Sequence, residues 1–367
     1  MKKICIINHG LANGGTDAFV MSILKNINQN EFSIDLFLAV NENSVKQARE
    51  DEAKIYLETL SGKILKISDL GSIIEKIFYP IKLIKALKES GPYDVVHSNM
   101  DLFNGINLFC AKIAGVPIRI SHSHTSESQY ENKTKKHFVV EAYRRFMKKL
   151  IDLFSTKKIG CSQSAVNYLY SNKSNTEIIF NGIDLSKYSN TYASPISESQ
   201  KHKLITVGNL INVKNPYFMI QIIEELSKIR TDFEFYWVGT GDLESEIKET
   251  VKSKGLDTYI SMLGFRNDVD QLLKQCSVFL MPSLFEGLSF AMIEAQAANL
   301  TCIVSDTISD EIDCGKCEFL PLKNGAAYWA EVINEYLNKE RVKSLDYTKL
   351  NRFNVKNTIK QIEKHYK

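Results

Sequence analysis

The sequence predicts an α/β protein built from two doubly wound domains in tandem. The chain has 367 residues, a length that suits two domains of about 150 to 200 residues each. Short apolar runs rich in Ile, Val and Phe alternate with amphipathic stretches as far as the C-terminus, which is typical of parallel sheets covered by helices. The pattern weakens between Ile183 and Lys203, and we therefore predict the domain junction there.

The first predicted domain covers residues 1–185. It begins with the strand Ile4–Asn8, continues with a helix that carries Phe19 and Ile23 on its apolar side, and returns to a strand at Ile34–Val40. Further strands are predicted at Asp94–Ser98, Ile118–His122 and Lys158–Ser162.

The second predicted domain covers residues 186–350, and residues 351–367 read as a helix that packs back on the first domain. Ligands of doubly wound sheets bind beyond the carboxyl ends of the strands, so we expect the functional cleft between the two domains. The strands predicted in the second domain are Leu204–Gly208, Phe233–Gly239, Ser277–Pro282 and Thr301–Ser305.

The composition is that of a globular protein, with 44% hydrophobic and 24% charged residues. No stretch approaches the roughly 20 apolar residues of a spanning helix, and the apolar run after Met1 is too short for a signal peptide. We therefore expect a cytoplasmic protein whose seven cysteines are reduced and buried.

The basic residues are in excess in the first half of the chain, above all between Glu131 and Lys158. One interpretation is a solvated helix face. The other is contact with an anionic bilayer or with a lipid-phosphate substrate.

The most informative segment joins the strand Ser277–Pro282 to a helical run. It reads Glu286-Gly287-Leu288-Ser289, and Glu294 follows inside the helix. Gly287 allows a sharp turn and Ser289 is a candidate N-cap, so backbone N–H groups at this corner can bind phosphate or sugar hydroxyls. Two carboxylates at such a corner can accept hydrogen bonds from vicinal hydroxyls, whereas an exposed helical glutamate is the ordinary alternative.

A second candidate site follows the strand Leu204–Gly208. Asn209 comes directly after it, and Lys214 precedes Asn215 and Pro216, which we predict as the N-cap and first residue of the next helix. Lys214 is well placed to bind a diphosphate, although a plain surface lysine has the same local pattern.

In the first domain, Gly14 and Gly15 follow the first strand and precede a helix. They let the backbone approach a phosphate or an acceptor, but the spacing is not that of the dinucleotide fingerprint. His122 and His124 end another strand, and we expect at least one of them to contact a ligand. A metal site is not predicted, because no third ligand is near the histidines and the pair Cys314 and Cys317 lacks a second pair.

Together these residues resemble the retaining nucleotide-sugar glycosyltransferases of the GT-B fold, particularly those that assemble bacterial capsular and extracellular polysaccharides. The resemblance covers essentially the whole chain and implies two Rossmann-like domains. It is carried by Gly14-Gly15-Thr16-Asp17, Asp94-Val95-Val96-His97-Ser98, Arg119–His124, Ile178–Asp184, Val207–Leu210 with Lys214-Asn215, Leu263–Val269 and the Glu286–Glu294 corner.

The resemblance implies that the second domain binds the donor. Lys214 would bind the diphosphate, Glu294 the ribose hydroxyls and Glu286 the donor sugar. The backbone of Gly287, Leu288 and Ser289 would bind phosphates or sugar hydroxyls, and the loop at Phe265 and Arg266 would contact the base.

In the first domain the resemblance implies that His124 approaches the donor sugar and that Gly15 lies near the diphosphate. The position of Asn209 often holds arginine in the family. Its charge is missing here, so more of the leaving-group stabilisation is expected from Lys214 and the helix N-terminus.

The implied reaction moves a hexose or an N-acetylhexosamine from a nucleotide diphosphate sugar, expected to be a UDP-sugar, with retention at the anomeric carbon. The acceptor would be a glycan or a polyprenyl-diphosphate-linked saccharide, selected by loops such as Thr125–Lys136. No cofactor, metal or nucleic acid is expected, and the location would be cytoplasmic or peripheral on the inner face of the plasma membrane. Two alternatives stay open: a UDP-sugar epimerase of the same fold, and a non-catalytic partner subunit of a glycosyltransferase.

Overall fold

The computed structural model describes residues 1–12, 14–40, 49–68, 70–125, 138–188, 201–339 and 341–367. These residues form two compact units. Unit 1 comprises residues 1–182 together with 355–367, and unit 2 comprises residues 183–354. The weakly patterned segment between Ile183 and Lys203 contains residues 189–200, which lie outside the described part of the chain.

Unit 1 contains a seven-stranded parallel sheet in the order β3-β2-β1-β4-β5-β6-β7. Its strands are β1 (Lys2–Asn8), β2 (Phe32–Leu38), β3 (Ile64–Lys66), β4 (Val95–Ser98), β5 (Ile118–Ser123), β6 (Lys157–Gly160) and β7 (Thr176–Ile178). Its helices before residue 182 are α1 (Gly15–Asn26), α2 (Glu50–Thr59), α3 (Ile73–Ser90), α4 (Asn104–Ile113), α5 (Phe138–Phe154) and α6 (Gln163–Leu169).

Unit 2 contains a six-stranded parallel sheet in the order β10-β9-β8-β11-β12-β13. Its strands are β8 (His202–Val207), β9 (Phe233–Val238), β10 (Ile260–Gly264), β11 (Val278–Met281), β12 (Thr301–Ser305) and β13 (Cys317–Leu320). Its helices are α7 (Pro216–Ile229), α8 (Glu244–Ser253), α9 (Val269–Lys274), α10 (Phe290–Ala297), α11 (Gly325–Leu337) and α12 (Tyr347–Leu350). The chain then returns to unit 1 with helix α13 (Val355–Tyr366).

The predicted strands are confirmed to within about two residues at their ends. The central strands are apolar on both faces because helices cover both sides of a parallel sheet. In β1, Ile4 and Ile6 contact the helices of one layer and Cys5 and Ile7 contact those of the other. Strand β5 continues one residue further than predicted, to Ser123, so His122 lies within the strand instead of ending it.

The two faces of the unit 1 sheet have separate cores. One face is covered by α1, α2 and α13, with Phe19, Leu57 and Ile362 among the buried side chains. The other face is covered by α3 and α4, which contribute Leu83 and Leu108.

In unit 2, helices α7, α8 and α11 pack on one core with strands β8 and β9. Ile222, Ile247 and Trp329 are fully buried there, and the Trp329 indole N–H donates to the carbonyl of Pro321 at 3.2 Å. These contacts fix the helical layer behind the loops that carry the candidate site.

Strand order reverses between β1 and β4 in unit 1 and between β8 and β11 in unit 2. Loops that leave two adjacent strands in opposite directions open a crevice at their carboxyl ends, which is where doubly wound sheets bind ligands. In unit 2 this point brings the Asn209–Lys214 segment beside the Glu286 corner.

All seven cysteines are buried and free, as expected. Among the described helices, none is both long enough and apolar enough to cross a membrane.

Candidate functional site

The first part of the site is the segment between β8 and α7. Lys214 ends a short 3-10 turn, and Asn215 follows in the left-handed region with φ of 54° before Pro216 begins α7. Asn215 is confirmed as the N-cap residue of α7 and Pro216 as its first residue, but the Asn215 side chain makes no capping hydrogen bond. Its Nδ2 instead donates to the carbonyl of Pro282 at 3.2 Å, which ties the segment to the loop after β11.

A second bond makes this connection between the loops firmer. The backbone N–H of Leu284 donates to the carbonyl of Val213 at 2.8 Å. The two loops at the reversal point of the sheet are therefore held together by the protein's own hydrogen bonds.

Lys214 and Glu286 form an ion pair at the centre of the site. Lys214 Nζ lies 2.5 Å from Glu286 Oε1, and the two side chains are 25% and 10% exposed. Charged groups this far from bulk water require a partner. The pair thus orients both side chains, and each charge is balanced by the other.

Gly208 makes room for the lysine. A Cβ at this position would lie 3.3 Å from Lys214 Cε and 3.6 Å from its Nζ. The side chain of Lys214 therefore lies across the backbone at the end of β8, and a larger residue at position 208 would push its ammonium away.

Asn209 comes next and is exposed. It adds no positive charge beside Lys214, in keeping with the departure from the family pattern noted in the sequence. A small cavity at the same strand ends is lined by Gly208, Asn209, Lys214, Pro282 and Ser283, among others.

The third part of the site is the start of α10. Ser289 is confirmed as the N-cap, because its hydroxyl accepts from the backbone N–H of Met292 at 3.4 Å. Gly287 and Leu288 lie in the preceding loop, half-buried. The positive end of the helix dipole and these backbone N–H groups favour an anion at this corner.

Glu294 lies in the second turn of α10, where it forms a side-chain hydrogen bond with Tyr188. Burial raises the pKa of Glu294 to about 7; Lys187 opposes this shift and Asp270 adds to it. Water hydrates a carboxylate at this position poorly. Hydroxyl groups of a ligand could donate the hydrogen bonds that stabilise its charge.

Tyr188 and Lys187 were missed by the sequence analysis. They lie in a 3-10 turn, Leu185–Tyr188, directly after the Asn181–Asp184 motif. They lie near Glu294 in the structure but far from it in the sequence, so no local sequence pattern could predict the contact.

The predicted base-binding residues follow β10. Phe265 is 56% exposed. The guanidinium of Arg266 is held by Asp268 through two hydrogen bonds of 2.8 and 2.6 Å. The Phe265 ring is thus exposed to solvent, whereas the Arg266 side chain is bound to Asp268.

In unit 1, the loop after β1 is organised by Asp17. Its carboxylate accepts from the backbone N–H of Ala12 at 2.9 Å and of Gly14 at 3.3 Å, and from Asn8 Nδ2 at 2.9 Å. Gly15 begins α1 and is exposed. The loop is thereby held against the helix N-terminus with Gly15 open to solvent.

His124 lies just after β5 and belongs to a stack of three imidazoles with His122 and His97. The centroids of His122 and His124 are 4.1 Å apart, and those of His97 and His122 are 5.3 Å apart. Burial lowers the pKa of His124 and of His97 to about 3 and also lowers that of His122. All three rings are neutral at physiological pH.

Asn99 defines the hydrogen position on His124. Asn99 Oδ1 accepts from His124 Nε2 at 2.9 Å, so Nδ1 of the neutral ring carries the lone pair. That Nδ1, the Asn99 Nδ2 and the His122 Nε2 are buried without a hydrogen-bond partner among the described residues. The sequence analysis missed Asn99, because an asparagine after a strand has no distinctive local pattern.

Within the described ranges no three His, Cys, Asp or Glu side chains are arranged to hold a metal ion. Of the acceptor loop Thr125–Lys136, all but Thr125 lies outside the described residues, as do Glu131, Lys133, Lys135 and Lys136 of the basic stretch.

Several known proteins with similar sequences are glycosyltransferases. Residues 201–339 match the family described as Glycosyl transferases group 1. The chain is 28% identical over 376 residues to the capsular polysaccharide biosynthesis glycosyltransferase CapH of Staphylococcus aureus, covering 100% of this chain and 99% of that protein. It is also 27% identical over 347 residues to the putative glycosyltransferase EpsF of Bacillus subtilis, covering 90% and 87% of the two chains.

A third relative is the UDP-Gal:alpha-D-GlcNAc-diphosphoundecaprenol alpha-1,3-galactosyltransferase of Escherichia coli, 28% identical over 298 residues that cover 75% of this chain and 72% of that protein. Among solved structures, Anabaena HepE in complex with UDP and glucose has a TM-score of 0.76 at 17% identity, covering 99% of both chains. At that identity the likeness shows the fold.

Proposed function

We propose that this chain, a glycosyltransferase of the GT-B fold, transfers a hexose or an N-acetylhexosamine from a UDP-sugar to a lipid-linked saccharide with retention at the anomeric carbon. Its relatives include enzymes of capsular polysaccharide synthesis, and this is the process in which we propose it acts. The observation that carries the proposal is the Lys214–Glu286 pair at the reversal point of the unit 2 sheet.

The pair supports donor binding by exchange of partners. A diphosphate brings negative charge to Lys214, whose present partner is Glu286 at 2.5 Å. When the phosphates bind the Lys214 ammonium in place of Glu286, the Glu286 carboxylate can accept hydrogen bonds from sugar hydroxyls. The same lysine then stabilises the charge that develops on the leaving diphosphate.

Glu294 supports recognition of the nucleotide. Its carboxylate is partly buried beside Tyr188 and can accept two hydrogen bonds from the ribose diol. UDP as the nucleotide is supported by the E. coli relative, named for a UDP-Gal donor, and by HepE, solved with UDP.

Retention follows if the acceptor hydroxyl attacks on the face that the diphosphate leaves. A phosphate oxygen then takes the proton, so no protein side chain serves as the general base, and catalysis rests on position and charge. The contact of His124 with the donor sugar and that of Gly15 near the diphosphate stay predictions from the family resemblance. We further propose that no metal ion is needed.

The acceptor is proposed from the relatives' names. Three of them, from E. coli and Campylobacter jejuni, are named for saccharides linked to diphosphoundecaprenol. An acceptor of this kind would require a cytoplasmic enzyme that works at the inner face of the plasma membrane.

The test is a panel of UDP-glucose, UDP-galactose and their N-acetyl forms, with UDP release measured with and without membrane-lipid extract. We expect release with one donor to depend on the extract and to persist in a chelator. Glu294→Ala should abolish it, whereas the exposed control Glu249→Ala should not.

Two results would overturn the proposal. Conversion of a UDP-sugar into its epimer without an acceptor would identify an epimerase. Equal inactivity of the wild type and Glu294→Ala towards every donor, with retained binding to another glycosyltransferase, would identify a non-catalytic subunit.

A further inference from the structure

Helix α3 carries an apolar stripe, a row of apolar side chains that are exposed to solvent. The helix buries Tyr79, Leu83 and Leu87 against the sheet, which accounts for its inward side. Its outward side repeats at the helical spacing of three and four residues and carries Ile74, Ile77, Ile81, Lys85 and Lys88. The three isoleucines are 66%, 65% and 64% exposed.

The stripe continues onto the neighbouring helices. Helix α4 packs against both α3 and α5, and each neighbour adds exposed apolar side chains. Eleven of the thirteen exposed large hydrophobic side chains described in unit 1 belong to these three helices; the other two are Met1 and Ile55. The eleven are Ile73, Ile74, Ile77, Phe78 and Ile81 on α3, Phe109 and Ile113 on α4, and Val140, Tyr143, Phe146 and Leu153 on α5.

The same helices are basic. They carry nine lysines and arginines against four acidic residues. Each acidic residue is paired with a base: Glu75 with Lys82, Glu89 with Lys85, Glu141 with Arg145 and Asp152 with Lys158. The surface therefore combines protruding apolar side chains with an excess of positive charge.

We propose that the outward surface of α3, α4 and α5 docks on an anionic lipid bilayer. Ile74, Ile77 and Ile81 enter the boundary between headgroups and acyl chains, and Lys85 and Lys88 contact the headgroup phosphates with their stems along the apolar zone. Anionic lipid attracts each lysine at its surface, so the two kinds of residue act together.

The composition favours a bilayer over a protein partner. Contact surfaces between proteins are depleted in lysine at their centre, whereas the stripe on α3 places Lys85 and Lys88 in line with its exposed isoleucines. Large exposed apolar patches on a protein surface mark interaction sites. The basic stretch Glu131–Lys158, for which membrane contact was one interpretation of the sequence, contains α5; the apolar stripe on α3 lies outside it.

The inference rests on the proposed function for its purpose, because a lipid-linked acceptor lies in a membrane. Its test measures membrane binding and needs no transfer reaction. A negative result for membrane docking would therefore not contradict the proposed transferase function, and the reverse also holds. The full chain is floated with vesicles of phosphatidylcholine, with or without phosphatidylglycerol, and the bound fraction is measured at low and high salt.

We expect the wild type to float with the anionic vesicles and to detach as salt rises. Ile77→Asp and Ile81→Asp should each weaken binding about tenfold, because an aliphatic side chain no longer leaves water. Lys88→Gln should weaken it several-fold. The matched control is Ile55→Asp on α2, 64% exposed but outside the three helices, which should bind as the wild type does.

Each variant is at an exposed position and should melt at the wild-type temperature, so loss of binding is not loss of folding. The proposal is overturned if the α3 variants bind vesicles as tightly as Ile55→Asp. It is equally overturned if Ile77→Asp changes the oligomeric state of the protein and leaves vesicle binding intact, since the stripe would then be a protein interface.

Discussion

At the scale of single residues, the site depends on a lysine whose charge is already compensated. Lys214 has Glu286 at 2.5 Å, and Asn209 supplies no second cation. A diphosphate bound at Lys214, as we propose, would therefore compete with a carboxylate that is only 10% exposed. Removing either member of such a pair leaves a poorly hydrated charge behind.

Lys214→Met should lower kcat/KM for the UDP-sugar about a hundredfold or more, because the leaving diphosphate loses its main positive neighbour. Steady-state UDP release measures this. The matched control is Lys228→Met on α7, whose side chain is 61% exposed and should leave the rate unchanged. A Lys214→Met enzyme with wild-type kinetics would refute the diphosphate assignment.

Glu294 should make donor affinity depend on pH. Burial raises its pKa from 4.5 to about 7, so the carboxyl is increasingly protonated below that pH and accepts fewer hydrogen bonds from the ribose. We expect KM for the donor to rise as pH falls from about 8 to about 6. The KM of Glu294→Gln should be high and nearly flat over the same range.

The raised pKa of Glu294 also makes the stability of the protein depend on pH. This stability contribution falls as pH rises, whereas donor affinity is expected to increase. The folded state binds the proton more tightly than the unfolded state, so this group's contribution to stability is greatest below pH about 4.5 and is lost as pH rises towards 7. Thermal midpoints of the wild type and Glu294→Gln should diverge in favour of the variant as pH rises. Midpoint curves that stay parallel would contradict the raised pKa.

Asn99 should control the charge of His124. Burial lowers the pKa of His124 to about 3, and Asn99 Oδ1 lies 2.9 Å from its Nε2. Asn99→Asp places a negative charge there and should raise the pKa of His124. NMR titration of the imidazole resonances measures it, with Asn107→Asp as a nearby buried control that has no contact with His124 in the described structure.

At the scale of elements, helix starts and buried strands were predictable and cross-loop contacts were not. Ser289 at the start of α10 is a local signal, since a capping hydroxyl bonds to N–H groups a few residues along the chain. Asn215 carries the same local signal, yet its side chain bonds to Pro282. The Asn215 side chain bonds to a residue that is distant in the sequence and not to the first turn of α7. Only the folded structure brings that residue close.

The strands show the same division. Runs of Ile, Val and Phe identify parallel strands because both faces are buried. Their ends are less certain: the strand predicted at Ile118–His122 continues to Ser123, because His122 and Ser123 pair with Ile159 and Gly160 of β6. Tyr188 and Asn99 stayed hidden because their roles exist only through contacts with Glu294 and His124.

Ser289→Ala should reduce the free energy of unfolding of unit 2 by about 1 kcal/mol, because Met292 N–H loses its partner at the start of α10. Denaturant unfolding measures the change. Ser253→Ala at the exposed end of α8 is the control and should stay within about 0.5 kcal/mol of the wild type. Equal losses in both variants would argue against a cap.

At the scale of the whole molecule, the first unit is completed by the last helix of the chain. Ile359, Ile362 and Tyr366 of α13 are at most 3% exposed and lie in the same core as Ile4 and Phe19. The Tyr366 hydroxyl is also hydrogen bonded to His97 Nδ1 at 2.8 Å. The helix therefore contributes to the packing beneath the imidazole stack.

Removal of residues 355–367 should destabilise unit 1 by several kcal/mol, since each large apolar side chain contributes about 1.5 to 3 kcal/mol when buried. Hydrogen exchange should show loss of protection in β1 and β2 and little change in β8 and β9. The control Lys360→Ala, at an exposed position of α13, should leave both sheets protected. Unchanged protection of β1 in the truncated chain would contradict this role.

Unit 2 leaves and re-enters the chain path of unit 1 at neighbouring residues. Ile183 pairs with Asn354 in an isolated parallel bridge, and a Cβ on Gly182 would lie 2.5 Å from the Cα of Val355. Along the chain, unit 2 is therefore inserted between residues 182 and 355 of unit 1, and its two connections lie side by side. An engineered exchange of unit 2 would therefore need both connections to be replaced together and Gly182 to remain glycine.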